Sequence, residues 1–561
     1  MNATLSSLDY TVLFIYFGAL AAVAIWVFRQ KNDTSEDYFL AGRNAGWFVI
    51  GASIFASNIG SEHVVGLAGT GAESGMPMAH YELHAWIVLL LGWLFLPFYV
   101  RSGVFTMPEF LEKRFDSRSR WFLSIFSIFG YILTKVSVTI YAGGIVIAMF
   151  VGDQLVNSGL GSFIVDIFGL ANHDPAFWLS SLLVVVITGV YTVVGGMRAV
   201  IYTEALQTVI LIGGAIIITV MGLNAVGGWE ELRATAGSSH FNMWRPMSDP
   251  DFPWTGMLIG GTIVGIWYWC TDQYIVQRTL TAHNIQIGRR GAIFGAYLKL
   301  LPILIFLIPG IIAYALKQKG LLDYERSDTV FPALVQYLLP SGLKGLIAGG
   351  LMAALMSSLA SVFNSSSTLF TVDIFKKLYP DSSEKKLVNT GKWATAVVVL
   401  LGIAWIPVMQ KIGGGVLYQY LQSVQSYIAP PITAVFLFGI IWKRVNARGA
   451  FATLIFGLVV ALLRIVLELN AAPEGSGFIH TFATMNFAHF GIFNFIGCAI
   501  VCTLVSLSAP APSLESIQGL TFGSLSQEQK AAAKNSYGKF DIALSVFLVF
   551  IVLCILSYFT G

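Results

Sequence analysis

Charge is scarce in this sequence. Only 11% of its 561 residues are Asp, Glu, Lys or Arg, while 56% are hydrophobic. A soluble chain carries about 25% charge, so an ordinary water-facing globule is excluded. The net charge of +3 is too small to point to a nucleic-acid partner. Cysteine is scarcer still. Cys270, Cys498, Cys502 and Cys554 all lie in apolar segments and give neither a disulfide framework nor zinc spacing. Cys498 and Cys502 share a helix face and read as core packing. A glycine-rich nucleotide loop, an HExxH zinc motif and a nucleophile–base pattern are all missing. That removes an ATP-driven engine and argues against an enzyme. The longest polar stretches, 224–255, 317–340 and 508–539, read as loops rather than as a soluble domain. The run from Tyr10 to Phe28 has no basic leader and reads as a membrane helix, not a cleaved signal.

Long apolar runs are what the chain has in abundance. Fourteen are long enough to cross a bilayer: 9–28, 46–72, 77–101, 120–151, 176–194, 197–223, 256–278, 289–316, 341–373, 388–409, 414–442, 448–468, 486–507 and 540–560. The sequence therefore predicts an all-α polytopic protein embedded in a lipid bilayer. Basic residues test the count, because cytoplasmic loops are enriched in them. With the N-terminus outside, 23 of the 33 lysines and arginines fall in cytoplasmic loops, Arg278 among them, and six fall outside. That places both termini outside a plasma (inner) membrane. Lys135, Lys299, Lys344 and Arg464 remain within or at the edges of spans. Lys344 and Arg464 lie near helix ends and can snorkel to the interface.

Polar residues inside apolar spans cost free energy unless the protein uses them. Ser57-Asn58-Ile59-Gly60-Ser61-Glu62-His63 breaks the span 46–72 with an amide, two hydroxyls, a carboxylate and an imidazole. Backbone leaves the helix at membrane depth only where it is buried or lines a cavity, and such broken helices hold binding sites. Ile266-Trp267-Tyr268-Trp269-Cys270-Thr271-Asp272-Gln273 interrupts a second span halfway along 46–442. Two interrupted spans at matching positions predict an inverted repeat. Ser357, Ser361 and Asn364 share one face of the span 341–373 by the i, i+4, i+7 rule, and their oxygens suit an alkali cation. Helix packing is the lesser alternative for a small-residue face, and Trp267 also fits an interfacial belt. Glu82, Lys299, Gln422 and His63 supply the donors and acceptors that a ring of hydroxyls needs, with Tyr268 as an aromatic plate. Glu82 and Lys299 also fit a structural ion pair.

Long motifs carry a resemblance. Ser35-Glu36-Asp37-Tyr38-Phe39-Leu40-Ala41-Gly42-Arg43, Met107-Pro108-Glu109-Phe110, Gly195-Gly196-Met197-Arg198-Ala199-Val200, Trp267 through Arg278, and Ser357 through Asn364 resemble the sodium/solute symporter family, in its sodium/glucose cotransporter branch. The resemblance covers nearly the whole chain. It implies a five-plus-five inverted-repeat core of the amino-acid-transporter type: an extra helix and first cytoplasmic loop over 1–45, a first repeat over 46–223, an extracellular loop over 224–255, a second repeat over 256–442, and three extra helices over 443–561. By motif it puts His63, Glu82, Tyr268, Trp269, Lys299 and Gln422 at the sugar. It makes Tyr268 an inner gate and Leu67, Tyr81 and Tyr418 an outer one. It assigns sodium to the carbonyls of Ala56, Ile59 and Ala354 and the hydroxyls of Ser357 and Ser358. Glu204 stands where the family commonly has an aspartate linked to a second sodium; a water-facing carboxylate near the inner surface is the other reading. Gly265 stands where some bacterial members have an asparagine, Ala85 where a serine occurs, and His63 where some have a glutamine. The implied activity is sodium-driven import of a monosaccharide resembling glucose or galactose. Inositol or another polar solute, and a sugar-gated channel or sensor, stay open.

Overall fold

In hydrocarbon every backbone amide must be paired within its own segment, so apolar runs of this length fold as helices. The computed structural model describes residues 5–30, 34–60, 62–167, 169, 174–412, 417–469 and 477–561. Among them the regular structure is helical, with two isolated bridges, Ala45 to Ala282 and Asn242 to Thr560. Among the described residues eleven helices are long and apolar enough to cross a membrane, or up to twelve when one bent pair counts as a span. In chain order the helices used below are α1 (Ser7–Phe28), α2 (Trp47–Asn58), α3 (His63–Ser74), α4 (Met76–Ser102), α5 (Ser117–Val156), α6 (Pro175–Val226), α7 (Trp229–His240), α8 (Gly256–Thr271), α9 (Gln273–Leu280), α10 (Ile285–Gln318), α11 (Leu343–Leu378), α12 (Glu384–Ala404), α13 (Leu421–Ile441), α14 (Ala447–Glu468), α15 (Phe487–Ser508) and α16 (Lys539–Tyr558).

The difference from fourteen expected spans has two sources. The runs 176–194 and 197–223 form the single 52-residue α6, kinked at Gly196. Gly196 has φ +57°, and a Cβ there would stand 2.6 Å from the Tyr38 carbonyl oxygen, so both conformation and space require glycine. The run 256–278 is two short helices, α8 and α9, and neither alone reaches spanning length.

Both polar interruptions are real breaks. α2 and α3 meet at 64°, with Ile59 in extended backbone (φ −84°, ψ 101°). Asp272, likewise extended (φ −80°, ψ 127°), separates α8 from α9 and caps α9 by accepting from the Tyr274 amide at 3.2 Å. α2 packs against α10 through glycines: a Cβ on Gly291 would stand 2.6 Å from Ile50 Cγ2, and one on Gly51 2.7 Å from the Gly291 carbonyl. Small residues let membrane helices approach this closely. α1 is tied to the start of α11 by buried Asp9, which accepts from the Gly342 and Gly345 amides at 2.6 and 2.7 Å.

Two expectations about charges and loops change. The three polar stretches read as loops carry short helices, α7, Val330–Leu338 and Gln527–Asn535. Arg464 does not snorkel: it is 2% exposed and donates to the Met485 carbonyl at 2.9 Å. That carbonyl, in the turn before α15, supplies inside the protein the partner that water would have given. Cys498 and Cys502 are buried between α14 and α15, in keeping with packing.

Candidate functional site

A cavity opens where the first break faces α4, α8, α10 and α13. Asn58, His63, Trp269, Tyr268, Lys299 and Gln422 are among the residues that line it. Lys299 Nζ donates to Glu82 Oε2 at 2.5 Å and to Asn58 Oδ1 at 2.9 Å. Glu82 is fully buried and Lys299 is 3% exposed. Each offsets the desolvation of the other, and loss of either would strand a buried charge. His63 Nε2 stands 3.7 Å from Glu82 Oε1. Asn58 Nδ2 donates to the Tyr268 hydroxyl at 3.2 Å, and Lys299 Nζ sits 5.3 Å from the Trp269 ring centre. Gln422 Oε1 is buried with no hydrogen-bond partner among the described residues, which is costly unless a ligand supplies a donor. The structure thus brings His63, Glu82, Tyr268, Trp269, Lys299 and Gln422 to one place. Of the expected outer-gate residues, Tyr81 lines the cavity and Leu67 is fully buried outside its lining. The Tyr418 side chain and Ser61 lie outside the described residues.

Beside the cavity, α11 presents its serines to the first break. Ser357 Oγ donates to the Ala56 carbonyl at 2.9 Å, and Ser358 Oγ to the Ser57 carbonyl at 3.3 Å. Ala354, one turn before Ser358, and Ile59, at the break itself, are both buried. Broken-helix carbonyls and hydroxyls in one place are the oxygen donors that sodium takes.

Glu204 is fully buried, so it is not a water-facing interfacial carboxylate. Hydroxyls from Ser53 and Ser361 donate to it; those of Ser57 and Ser357 lie 3.0 and 3.3 Å away. Arg278 Nη2 approaches it at 3.6 Å, and Arg278 Nε donates to Ser57 Oγ at 2.9 Å. Arg278 is therefore not the cytoplasmic loop residue that the charge count implies: it is fully buried. The break at Asp272 redirects α9 beneath the first break, where the carboxylate stabilises the guanidinium.

Other members of the site are not placed there by the sequence. Lys135 Nζ bonds Asp272 Oδ2 at 2.6 Å and lies 3.9 Å from the Tyr274 ring centre and 4.6 Å from that of Tyr268. Cation–π contact and the ion pair hold it against the second break. Tyr131 also donates to Asp272, and the Tyr274 hydroxyl to the Ser57 carbonyl. Lys135 does stand out in the sequence as a charge inside a span. Gln425, which lines the cavity three residues after Gln422, has the helical spacing to be found.

A model of the sodium:solute symporter family matches residues 38–165 and 158–457. The chain belongs to this family. Human sodium/glucose cotransporter 4 is 39% identical over 556 residues, 92% of this chain and 78% of that protein. Bovine sodium/myo-inositol cotransporter 2 is 39% identical over 558 residues, 92% and 79%. A sodium-coupled sialic acid symporter, solved substrate-bound and outward-open, superposes with a TM-score of 0.72 at 25% identity, covering 91% of this chain and 99% of that one. The protein is a sodium-coupled solute symporter of a transporter family, and sodium is its coupling ion.

Proposed function

We propose that the protein imports a monosaccharide resembling glucose or galactose by alternating access. The observation that carries this reading is the cavity itself. A carboxylate, an ammonium, amides, an imidazole and aromatic faces converge between two broken helices, the inventory a hydroxylated ring requires. In this reading His63, Glu82, Lys299 and Gln422 bind hydroxyls, Trp269 and Tyr268 bound the ring, and Tyr268 gates the inner side. Leu67, Tyr81 and Tyr418 gate the outer side. Sodium binds the Ala56, Ile59 and Ala354 carbonyls with the Ser357 and Ser358 hydroxyls, and so favours the broken helix in its sugar-binding form. A ligand shifts a conformational equilibrium only by its differential affinity, so loss of sodium on the inner side releases both.

The architecture proposed with this function has fourteen spans. α6 counts as two across Gly196, and α8 with α9 forms one broken span. Residues 46–223 and 256–442 form inverted repeats, and both termini lie outside a plasma (inner) membrane. The matching extended backbone at Ile59 and Asp272 supports the repeat. Inositol is the second reading, favoured by the similarity to the myo-inositol cotransporter. Sodium-gradient-driven uptake into proteoliposomes, with hexoses and myo-inositol competing against labelled glucose, tests both. Accumulation against a gradient, competed by hexoses, supports the sugar symporter. Sodium-driven uptake that neither hexoses nor myo-inositol compete would refute both readings of the substrate.

A further inference from the structure

Glu82 and His84 are two residues apart, a spacing that separates side chains on a regular helix. α4 is not regular there. Leu83 and His84 form a turn between the segments Ala79–Glu82 and Ala85–Leu90. Both residues therefore serve the cavity: Glu82 through Lys299, His84 by lining it directly.

The His84 ring has a built slot. It lies along Gly261 and Gly265, one turn apart on α8. A Cβ at 261 would stand 3.4 Å from His84 Nε2. A Cβ at 265 would stand 2.9 Å from Nδ1 and 3.1 Å from Cε1, and would also meet Ile87. Gly265 has no positive φ, so it is glycine for space and not for conformation. Tyr81 closes another side, its ring centre 5.3 Å from that of His84. The imidazole occupies the volume that a side chain at 265 would fill. Among the described residues no hydrogen bond fixes either ring nitrogen. A neutral imidazole both donates and accepts, so a ligand hydroxyl can pair with it in either sense.

We propose that His84 binds a hydroxyl of the transported ring, and that His84 and Gly265 act as one specificity element. The imidazole, from α4, puts a polar group into the space that a side chain at 265 on α8 would otherwise take. The inference rests on the cavity being the site of a hydroxylated ring.

The test is sodium-saturated equilibrium binding of glucose, myo-inositol and the monodeoxyglucoses to wild type, His84→Ala, His84→Asn, Gly265→Ser and the double variant His84→Ala/Gly265→Ser. Loss of one hydrogen bond is worth up to about tenfold in affinity. His84→Ala is expected to lose five- to tenfold, by that same order-of-magnitude scale, for the parent ring. One monodeoxy analogue, already weak for wild type, is expected to bind both proteins equally. His84→Asn retains most of the affinity. Gly265→Ser weakens binding through its collision with His84 and Ile87, and removing the imidazole in the double variant relieves the first of these, so the double variant binds at least as well as Gly265→Ser. An equal loss for every analogue, or no loss, overturns the assignment of His84. A double variant weaker than Gly265→Ser alone overturns the shared slot. Wild type that binds no member of the series refutes the hydroxylated-ring reading itself, an outcome separate from an unselective His84→Ala.

Discussion

Two buried charges decide how the cavity behaves. Lys299 and Glu82 sit 2.5 Å apart and are both buried. Removing one partner of such a pair costs about 3–5 kcal/mol, whereas a neutral side-chain hydrogen bond is worth about 0.5–1.5 kcal/mol. Glu82→Ala is therefore expected to lower both thermal stability and sugar affinity. Gln422→Ala, which frees no charge, should weaken sugar binding by up to about tenfold at unchanged stability. Equilibrium binding beside thermal unfolding separates the two, and wild-type affinity in both variants would remove these residues from the site. Ser358 gives a cleaner probe, since its hydroxyl faces the Ser57 carbonyl and not the cavity. Ser358→Ala should raise the sodium needed for half-maximal uptake while leaving sugar affinity intact at saturating sodium. An unchanged sodium dependence would leave Ser358 a packing residue. Residues of this kind are legible in the sequence because a lone charge in an apolar span is costly until something pairs with it. Arg278 and His84 are not. An arginine at the end of a span reads as a loop residue until the break at Asp272 turns it inward, and the facing of His84 depends on a turn that no periodicity announces.

Helices here are defined as much by where they stop as by where they run. Gly196 kinks α6 in a backbone region almost reserved for glycine. Gly196→Ala is expected to cost roughly 1–3 kcal/mol from backbone strain alone, with more from the Tyr38 contact. A Tm within error of wild type would show that α6 tolerates a straight path. The half-helix α3 also ends against α7. His240 Nε2 lies 3.3 Å from the Ala72 carbonyl and its ring stacks on Tyr314 at 4.1 Å, while Arg245 donates to the Ser74 carbonyl at 3.0 Å. Burial holds the His240 imidazole below its usual value of 6.5, and the Arg245 cation adds to the effect. The neutral ring is thus favoured in the docked state, and the undocked state takes up protons first as pH falls through about 6.5. Docking of α7 on α3 should weaken with acid. Hydrogen-exchange protection factors over 229–245, taken relative to the intrinsic rate at each pH, should fall between pH 7.5 and 5, and His240→Gln should remove most of that change. An equal fall in the variant would assign the effect elsewhere. The apolar spans and their two polar breaks are readable because burial and backbone pairing leave little choice in a membrane. The α7 clamp is not, since its partners lie some 170 residues apart in sequence, Ala72 and His240 among them.

Across the whole molecule, Ser57 is where the parts join. Its carbonyl accepts from Tyr274 on α9 and Ser358 on α11, and its hydroxyl meets Arg278 and Glu204. Both broken helices, α6 and α11 therefore share one buried polar node. Under the proposed sites, that node is a physical route from ion binding on α11 to the cavity. The node also bears on stoichiometry. A second sodium at Glu204 would have to compete with a guanidinium already tethered 3.6 Å away, and a tethered charge pays no association entropy. The longer glutamate side chain is met by four serine hydroxyls as well. We therefore expect one sodium per sugar, with any second cation held weakly. Reversal potentials in proteoliposomes measure the ratio directly. Glu204→Gln, which keeps the shape and removes the charge, should leave that ratio at one while slowing turnover, because Arg278 loses its partner. A two-to-one ratio in the wild type that falls to one in Glu204→Gln would mean that sodium displaces Arg278 from the carboxylate during the cycle, and that the pair seen here is its resting state.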